Sequence, residues 1–130
     1  MDGGVFATNP AMCALAEALN TVSPKEVVLV SLGTGERTHR RDYDEIKDWG
    51  LANWARPILD VVFDGVSDAV NYQLKRVLAA DRYWRFQVEL TLASDHLDDA
   101  SEGNLSKLRG HAEELLAARS DDLDRAIAAL

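Results

Sequence analysis

Few side chains in this 130-residue sequence have the type and the neighbours to do chemistry. The first is Asp2, followed by Gly3 and Gly4. A carboxylate acts as a general base when it is held within hydrogen-bond reach of a hydroxyl. Glycines let the backbone turn sharply beside a reacting centre. Asp-Gly is equally an ordinary solvated turn, so these three residues alone leave both readings open. Gly65-Val66-Ser67-Asp68-Ala69 partly imitates a nucleophile elbow, which requires a sharp strand-to-helix turn. Ser67 instead falls within a long helical pattern with no strand before it, and reads as a helix-surface serine. Gly33-Thr34-Gly35 follows an apolar run but lacks the spacing of a P-loop or a dinucleotide fingerprint. A tight turn at the end of a strand, close to an active site, is expected there. A regulatory nucleotide site near Gly33 is the weaker alternative.

The remaining candidates read more plainly. His39, His96 and His111 are scattered and show no metal-ligand spacing. Asp98 and Asp99 lack further carboxylates to complete a calcium cage and read as loop or helix-start acids. No metal and no cofactor is expected. Cys13, the single cysteine, sits among Met12, Ala14 and Leu15 and reads as a small buried apolar residue. Trp49 and Trp54 are suited to acyl-chain contact, but core packing is the commoner use.

These residues need elements to position them. Asn9-Pro10 reads as a helix start, with Asn capping and Pro in the first turn, and the helix runs to about Leu19. Glu26 to Ser31 is β-branched and almost continuously apolar, which predicts a strand buried on both faces. Charged residues from Glu36 to Asp48 predict an exposed loop leading to a short helix around Trp49. A long helix is expected from about Trp54 to Ala79, with Ile58, Val62, Val66 and Val70 on its inner stripe and Pro57 confined to the first turn. Tyr83 to Leu92 alternates, with Trp84, Phe86, Val88, Leu90 and Leu92 inward and Tyr83, Arg85, Gln87, Glu89 and Thr91 on the wetter face. After a loop from Ser94 to Gly103, two helices follow. The first, about Asn104 to Ala118, has a stripe of Leu105, Leu108, Ala112 and Leu115. The second, about Asp121 to Leu130, has Leu123, Ile127 and Leu130, with Ser120-Asp121 as the cap between them. A strand buried on both faces needs neighbours that this chain barely supplies, so the 130 residues are expected to be part of a larger α/β fold.

Composition narrows the function. Apolar residues make up 47%, which fits a globular chain rather than a disordered one. The net charge of -8 disfavours nucleic acid and constitutive adhesion to an anionic membrane. One cysteine permits no internal disulfide and is compatible with a reducing, cytoplasmic setting. No apolar run reaches membrane-spanning length, and no signal-peptide pattern is visible.

Five segments, in order, resemble the C-terminal half of the patatin-like phospholipase family. They are Asp2-Gly3-Gly4-Val5-Phe6-Ala7 with Asn9-Pro10-Ala11; Ser31-Leu32-Gly33-Thr34-Gly35; Trp49-Gly50 with Trp54; Tyr83-Trp84-Arg85-Phe86-Gln87; and Leu97-Asp98-Asp99-Ala100-Ser101 with Asn104, Leu105 and Leu108. Thr8 stands where the family often has an asparagine. The resemblance implies a three-layer α/β/α sandwich, incomplete in this chain, and hydrolysis of lipid acyl esters by a Ser–Asp dyad. It implies that Asp2 is the catalytic base, within the Asp2-Gly3-Gly4 motif. The nucleophilic serine and the oxyanion loop are expected outside residues 1–130, so the chain alone is expected to be inactive. The implied partners are a lipid or acyl-ester substrate and transient contact with a lipid surface. The alternative is a non-catalytic fragment that acts only through association, and self-association of the isolated chain is expected either way.

Overall fold

A computed structural model describes residues 3–36, 42–54, 57–96 and 98–130; of Glu45 only the backbone is described. Among the described residues, seven helices and two strands follow in the order α1 (Gly3–Phe6), α2 (Ala11–Ala18), β1 (Leu29–Leu32), α3 (Tyr43–Ile46), α4 (Leu51–Trp54), α5 (Pro57–Val77), β2 (Tyr83–Phe86), α6 (Glu102–Ala118) and α7 (Ser120–Ala129). This is a mixed helix and sheet architecture of the α/β kind.

The two strands pair in parallel, Leu29 opposite Tyr83 through Leu32 opposite Phe86. Successive strand residues point to opposite faces. Val27, Leu29 and Tyr83 therefore share one cluster with Ala11 and Leu15 of α2 and Leu74 and Leu78 at the end of α5. Val28, Val30, Trp84 and Phe86 share the other with Ala126, Leu115, Leu123 and Ala129 of α6 and α7. Helices thus cover both faces, as the apolar run before Gly33 implies. The regular strand is shorter than that run because its partner begins at Tyr83: the Leu29 N–H donates to Arg82, and β2 offers nothing earlier.

Several expectations are corrected by packing. Pro57 does open α5, but Ile58, Leu59, Val62, Phe63 and Val66 are exposed, and the buried stripe is confined to Val70, Leu74 and Leu78. Tyr83 is buried and Leu92 exposed, the reverse of the expected alternation, because the ladder ends at Phe86 and only a bridge between Glu36 and Glu89 continues it. Trp49 lies between α3 and α4 rather than within a helix, and its ring packs edge-on against Trp54 at 5.3 Å, outside both clusters. Cys13 is exposed on the outer side of α2. On α6 the buried positions are Asn104 and His111, whereas Leu105 is exposed. On α7 the inward residues are Leu123, Ala126 and Ala129, and Ile127 and Leu130 face outward. The turn between α6 and α7 has Arg119 in the cap position, with no side-chain cap bond from Ser120 or Asp121. No helix among the described residues is long and apolar enough to cross a membrane.

Candidate active site

A cleft of about 370 Å³ opens at the C-terminal end of β1, between the start of α2 and the middle of α5. Its walls are built by polar side chains that lock three elements together. Asn9 is buried just ahead of α2. Its Oδ1 accepts the Ala11 N–H at 3.2 Å, and its Nδ2 donates to the Ser67 carbonyl and Oγ, both at 3.4 Å. Asn9 is thus not the cap expected, since Pro10 holds that position without a side-chain cap bond; its bond to the Ala11 N–H turns the chain into α2, and its Nδ2 staples that helix to α5. Pro10 precedes the first helical residue rather than occupying it. Ser67 is not at an elbow. It lies mid-helix in α5, part-buried against Asn9, so the expected surface serine is a cleft-lining one.

The opposite wall comes from β2. Residues 83, 85 and 87 share a face by the two-residue period, and each fastens something across the sheet. The Tyr83 hydroxyl donates to Asn71 Oδ1 at 3.0 Å. Burial pushes its pKa above the ordinary tyrosine value, opposed by the nearby Arg85 charge and by Ser31. The Arg85 Nη1 donates to Ser31 Oγ at 2.8 Å. Gln87 Oε1 accepts the Gly35 N–H at 3.2 Å, while its Nε2 donates to Glu36 Oε2 at 3.3 Å. The alternation of Tyr, Arg and Gln is thus a set of ties that holds the end of β1 along the cleft.

Gly33-Thr34-Gly35 is not the tight turn expected. The Gly33 N–H donates to Phe86 and the Glu36 N–H to Val88, so the chain stays extended beside β2 with the ladder interrupted. Two close approaches require the glycines. A Cβ on Gly33 would overlap the Gln87 amide and come within 2.9 Å of Arg85 Nη2. Gly35 has a φ of +100°, and a Cβ there would meet Leu90 at 2.7 Å. The N–H groups of Gly33, Gly35 and Glu36 are all engaged within the protein. That leaves no phosphate cradle, and a nucleotide site at Gly33 is not supported.

Asp2 lies outside the described residues. Gly3 and Gly4 belong to the helical turn of α1 rather than to a sharp bend, and a Cβ on Gly3 would meet nothing within 4 Å. From α1 the chain runs through Ala7 to Thr8 and Asn9, both on the cleft wall. Leu97, His39 and the arginines at 37, 40 and 41 also lie outside the described residues.

Comparison with known proteins bears on what this cleft belongs to. The chain is 33% identical over 142 residues to "Patatin-like protein 2" of Arabidopsis thaliana, covering 89% of the chain and 35% of that protein. It is 32% identical over 146 residues to "Patatin-like protein 1" of Oryza sativa subsp. indica, covering 92% and 35%. Against "Patatin-like protein 6" of Arabidopsis thaliana it is 28% identical, covering 92% and 27%. The chain belongs to the patatin-like family. It spans about a third of the length of these relatives. No family profile matches it, and no solved structure matches it.

In this patatin-like chain the five segments fall into three groups. Asn9-Pro10-Ala11, Ser31 to Gly35, and Arg85 with Gln87 converge on the cleft. Trp49 and Trp54 do not. Asp99, Ala100 and Asn104 line a second concavity of about 270 Å³ behind Gly35. There Asn104, buried on α6, is fully used: Oδ1 accepts the Ser94 N–H at 2.8 Å, and Nδ2 donates to the Asp99 carbonyl at 2.9 Å. Ser101 Oγ caps α6 by accepting the Asn104 N–H and donates to Asp99 Oδ1 at 2.8 Å. Hydrogen bonds from Ser101 hold the Asp99 carboxyl below the ordinary aspartate value. Asp99 is thus a helix-start acid, as expected. Sequence reasoning missed the structural duties of Asn104 and His111. His111 Nε2 accepts the Leu92 N–H at 3.3 Å, and nothing in the spacing of α6 marks a polar residue as buried.

Proposed function

We propose that the intact parent protein is a lipid acyl hydrolase, a phospholipase or esterase, in which this chain supplies the catalytic base Asp2. The observation that carries the reading is the match to patatin-like proteins over nine-tenths of the chain, joined to the resemblance of Asp2-Gly3-Gly4 to the family's motif. In the proposed three-layer α/β/α sandwich, the nucleophilic serine and its oxyanion loop come from the part of the relatives' length that this chain does not span. As the serine oxygen attacks the ester carbonyl, Asp2 takes its proton and then passes it to the departing alcohol. Water hydrolyses the resulting acyl-enzyme. The cleft between Asn9, Ser31 and Ser67 supports the reading, because the backbone that follows Asp2 leads to its wall. The substrate is an acyl ester presented by a lipid or lipid surface, and no cofactor enters the reaction.

The test is Asp2→Asn in the full-length parent, assayed on a chromogenic acyl ester, with Lys107→Gln as the control. We expect activity to fall by at least a thousandfold with the protein still folded; retained activity would end the assignment. The 130-residue chain alone is expected to hydrolyse no ester.

A second reading has its own observation. Ile58, Leu59, Val62, Phe63 and Val66 form an exposed apolar band on the first half of α5. A fragment with such a surface acts through association. Sedimentation of the isolated chain is expected to show concentration-dependent self-association, and a stable compact monomer would dispose of this reading.

A further inference from the structure

A trench of about 300 Å³ runs along β2 on the side away from β1. Its lining includes residues from β2 and from the helix layers on both faces but none from β1, which places it at the strand's open edge. Around it stand Lys75 of α5, Arg119 at the junction of α6 and α7, and Arg125 of α7, against a single carboxylate, Asp122; Arg85 of β2 also lines it, but its Nη1 donates to Ser31 of β1. The whole chain carries a net charge of -8, so three cations to one anion is a local reversal and not a reflection of composition.

The cations are held rather than merely near. Asp122 accepts from the Nε of Arg119 with one oxygen and from the Nη2 of Arg125 with the other, which sets the two guanidinium groups side by side. Arg119 is further braced over the Phe86 ring at 5.6 Å. One carboxylate cannot satisfy the remaining donors of two arginines, each with five N–H groups. Lys75 has no hydrogen-bond or ion-pair partner among the described residues. Charges beside an open strand also discourage unwanted strand pairing. That accounts for one or two cations at the edge, but not for three around one concavity with two oriented by a shared carboxylate. The ligand that matches such a set is a phosphomonoester, which carries close to two negative charges and three strong acceptor oxygens.

We infer that the open-edge trench of β2 is a binding site for a phosphomonoester group, on a lipid headgroup or on a soluble small molecule. The inference does not depend on the hydrolase reading.

The test uses the 130-residue chain, with glycerol 3-phosphate followed by calorimetry in one arm. The other arm is flotation with phosphatidylcholine vesicles with or without phosphatidic acid. Lys75→Gln/Arg125→Gln is the variant and Lys107→Gln the control, with circular dichroism to verify folding. We expect saturable binding, weakened at least tenfold in the double variant and unchanged in the control. It should also weaken as salt is raised. Binding of the soluble phosphate without flotation assigns a soluble ligand. Flotation that requires phosphatidic acid and is lost in the double variant assigns a headgroup. No binding in either arm, or equal binding by the folded double variant, overturns the proposal.

Discussion

At Gly35 the backbone has a φ of +100° and the Leu90 side chain sits where a Cβ would go. Gly35→Ala should therefore cost about 1–3 kcal/mol, from the unfavourable φ and the forced shift of Leu90. Gly3→Ala should change stability by less than about 0.5 kcal/mol, since nothing lies within 4 Å of the new carbon. Urea unfolding of both variants checks the contrast, and equal effects would contradict the geometry. Asp99 adds a pH dependence. Hydrogen bonds from Ser101 hold its folded pKa below the ordinary aspartate value of 3.8. A depressed carboxylate stabilises the fold above the unfolded value, and that contribution is lost as the pH falls below 3.8 through the folded value. Asp99→Asn should therefore lose less of its melting temperature than the unaltered chain between pH 6 and pH 3. The glycines and the acid are visible in the sequence. What is not visible is that Gly33 yields to Gln87, or that Arg85 reaches Ser31, because those partners lie more than fifty residues apart along the chain.

At the scale of elements, periodicity located α2, α5, α6, α7 and the two strands but not the four-residue helices α1, α3 and α4, and it misjudged which faces are covered. The α5 stripe is continuous in sequence from Ile58 to Leu78, yet only its end meets α2 and the sheet. Leu74, with no exposed surface, should cost about 2–5 kcal/mol when changed to Ala. Val62→Ala, on the exposed half, should cost far less in the isolated chain. A chemical-denaturation series along α5 would detect this step, and a uniform cost would refute it. Ser101→Ala removes the α6 cap and its bond to Asp99, and should cost about 1 kcal/mol by the same measurement. On α6 and α7 the apolar pattern pointed to Leu105, Ile127 and Leu130, whereas Asn104, His111 and Ala126 are the residues buried. Small and polar residues carry no hydrophobic signal, so a face built on satisfied hydrogen bonds is silent to a pattern search.

Across the whole molecule, two parallel strands with helices on both faces bury one face of β1, cover the other only in part and leave much apolar surface open. The band on α5, Leu32 at the end of β1 and Phe6 in α1 are all exposed. Truncating that band, as in Val62→Ser with Phe63→Ser, should reduce self-association of the isolated chain in sedimentation without loss of helical content. If these residues instead stabilise the isolated fold, the variant will unfold earlier. The relatives' chains are about three times as long, which gives the same surface a ready partner in the proposed parent.

Asp2-Gly3-Gly4, the Gly33-Thr34-Gly35 spacing and the Tyr83, Arg85 and Gln87 alternation were sufficient in sequence to indicate the patatin-like family, because such local patterns reflect backbone geometry and chemistry that few other residues satisfy. The sequence also indicated that β1 lies between helix layers, although only Leu29 and Ser31 are buried, Val30 is half-buried and Leu32 is exposed. Tertiary structure alone decided that Asn9 joins α2 to Ser67, that the glycine segment stays extended rather than turning, and that Lys75, Arg119 and Arg125 gather beside β2 in an acidic chain. These depend on which distant segments are brought within hydrogen-bond or Coulombic range, and local periodicity contains no term for that.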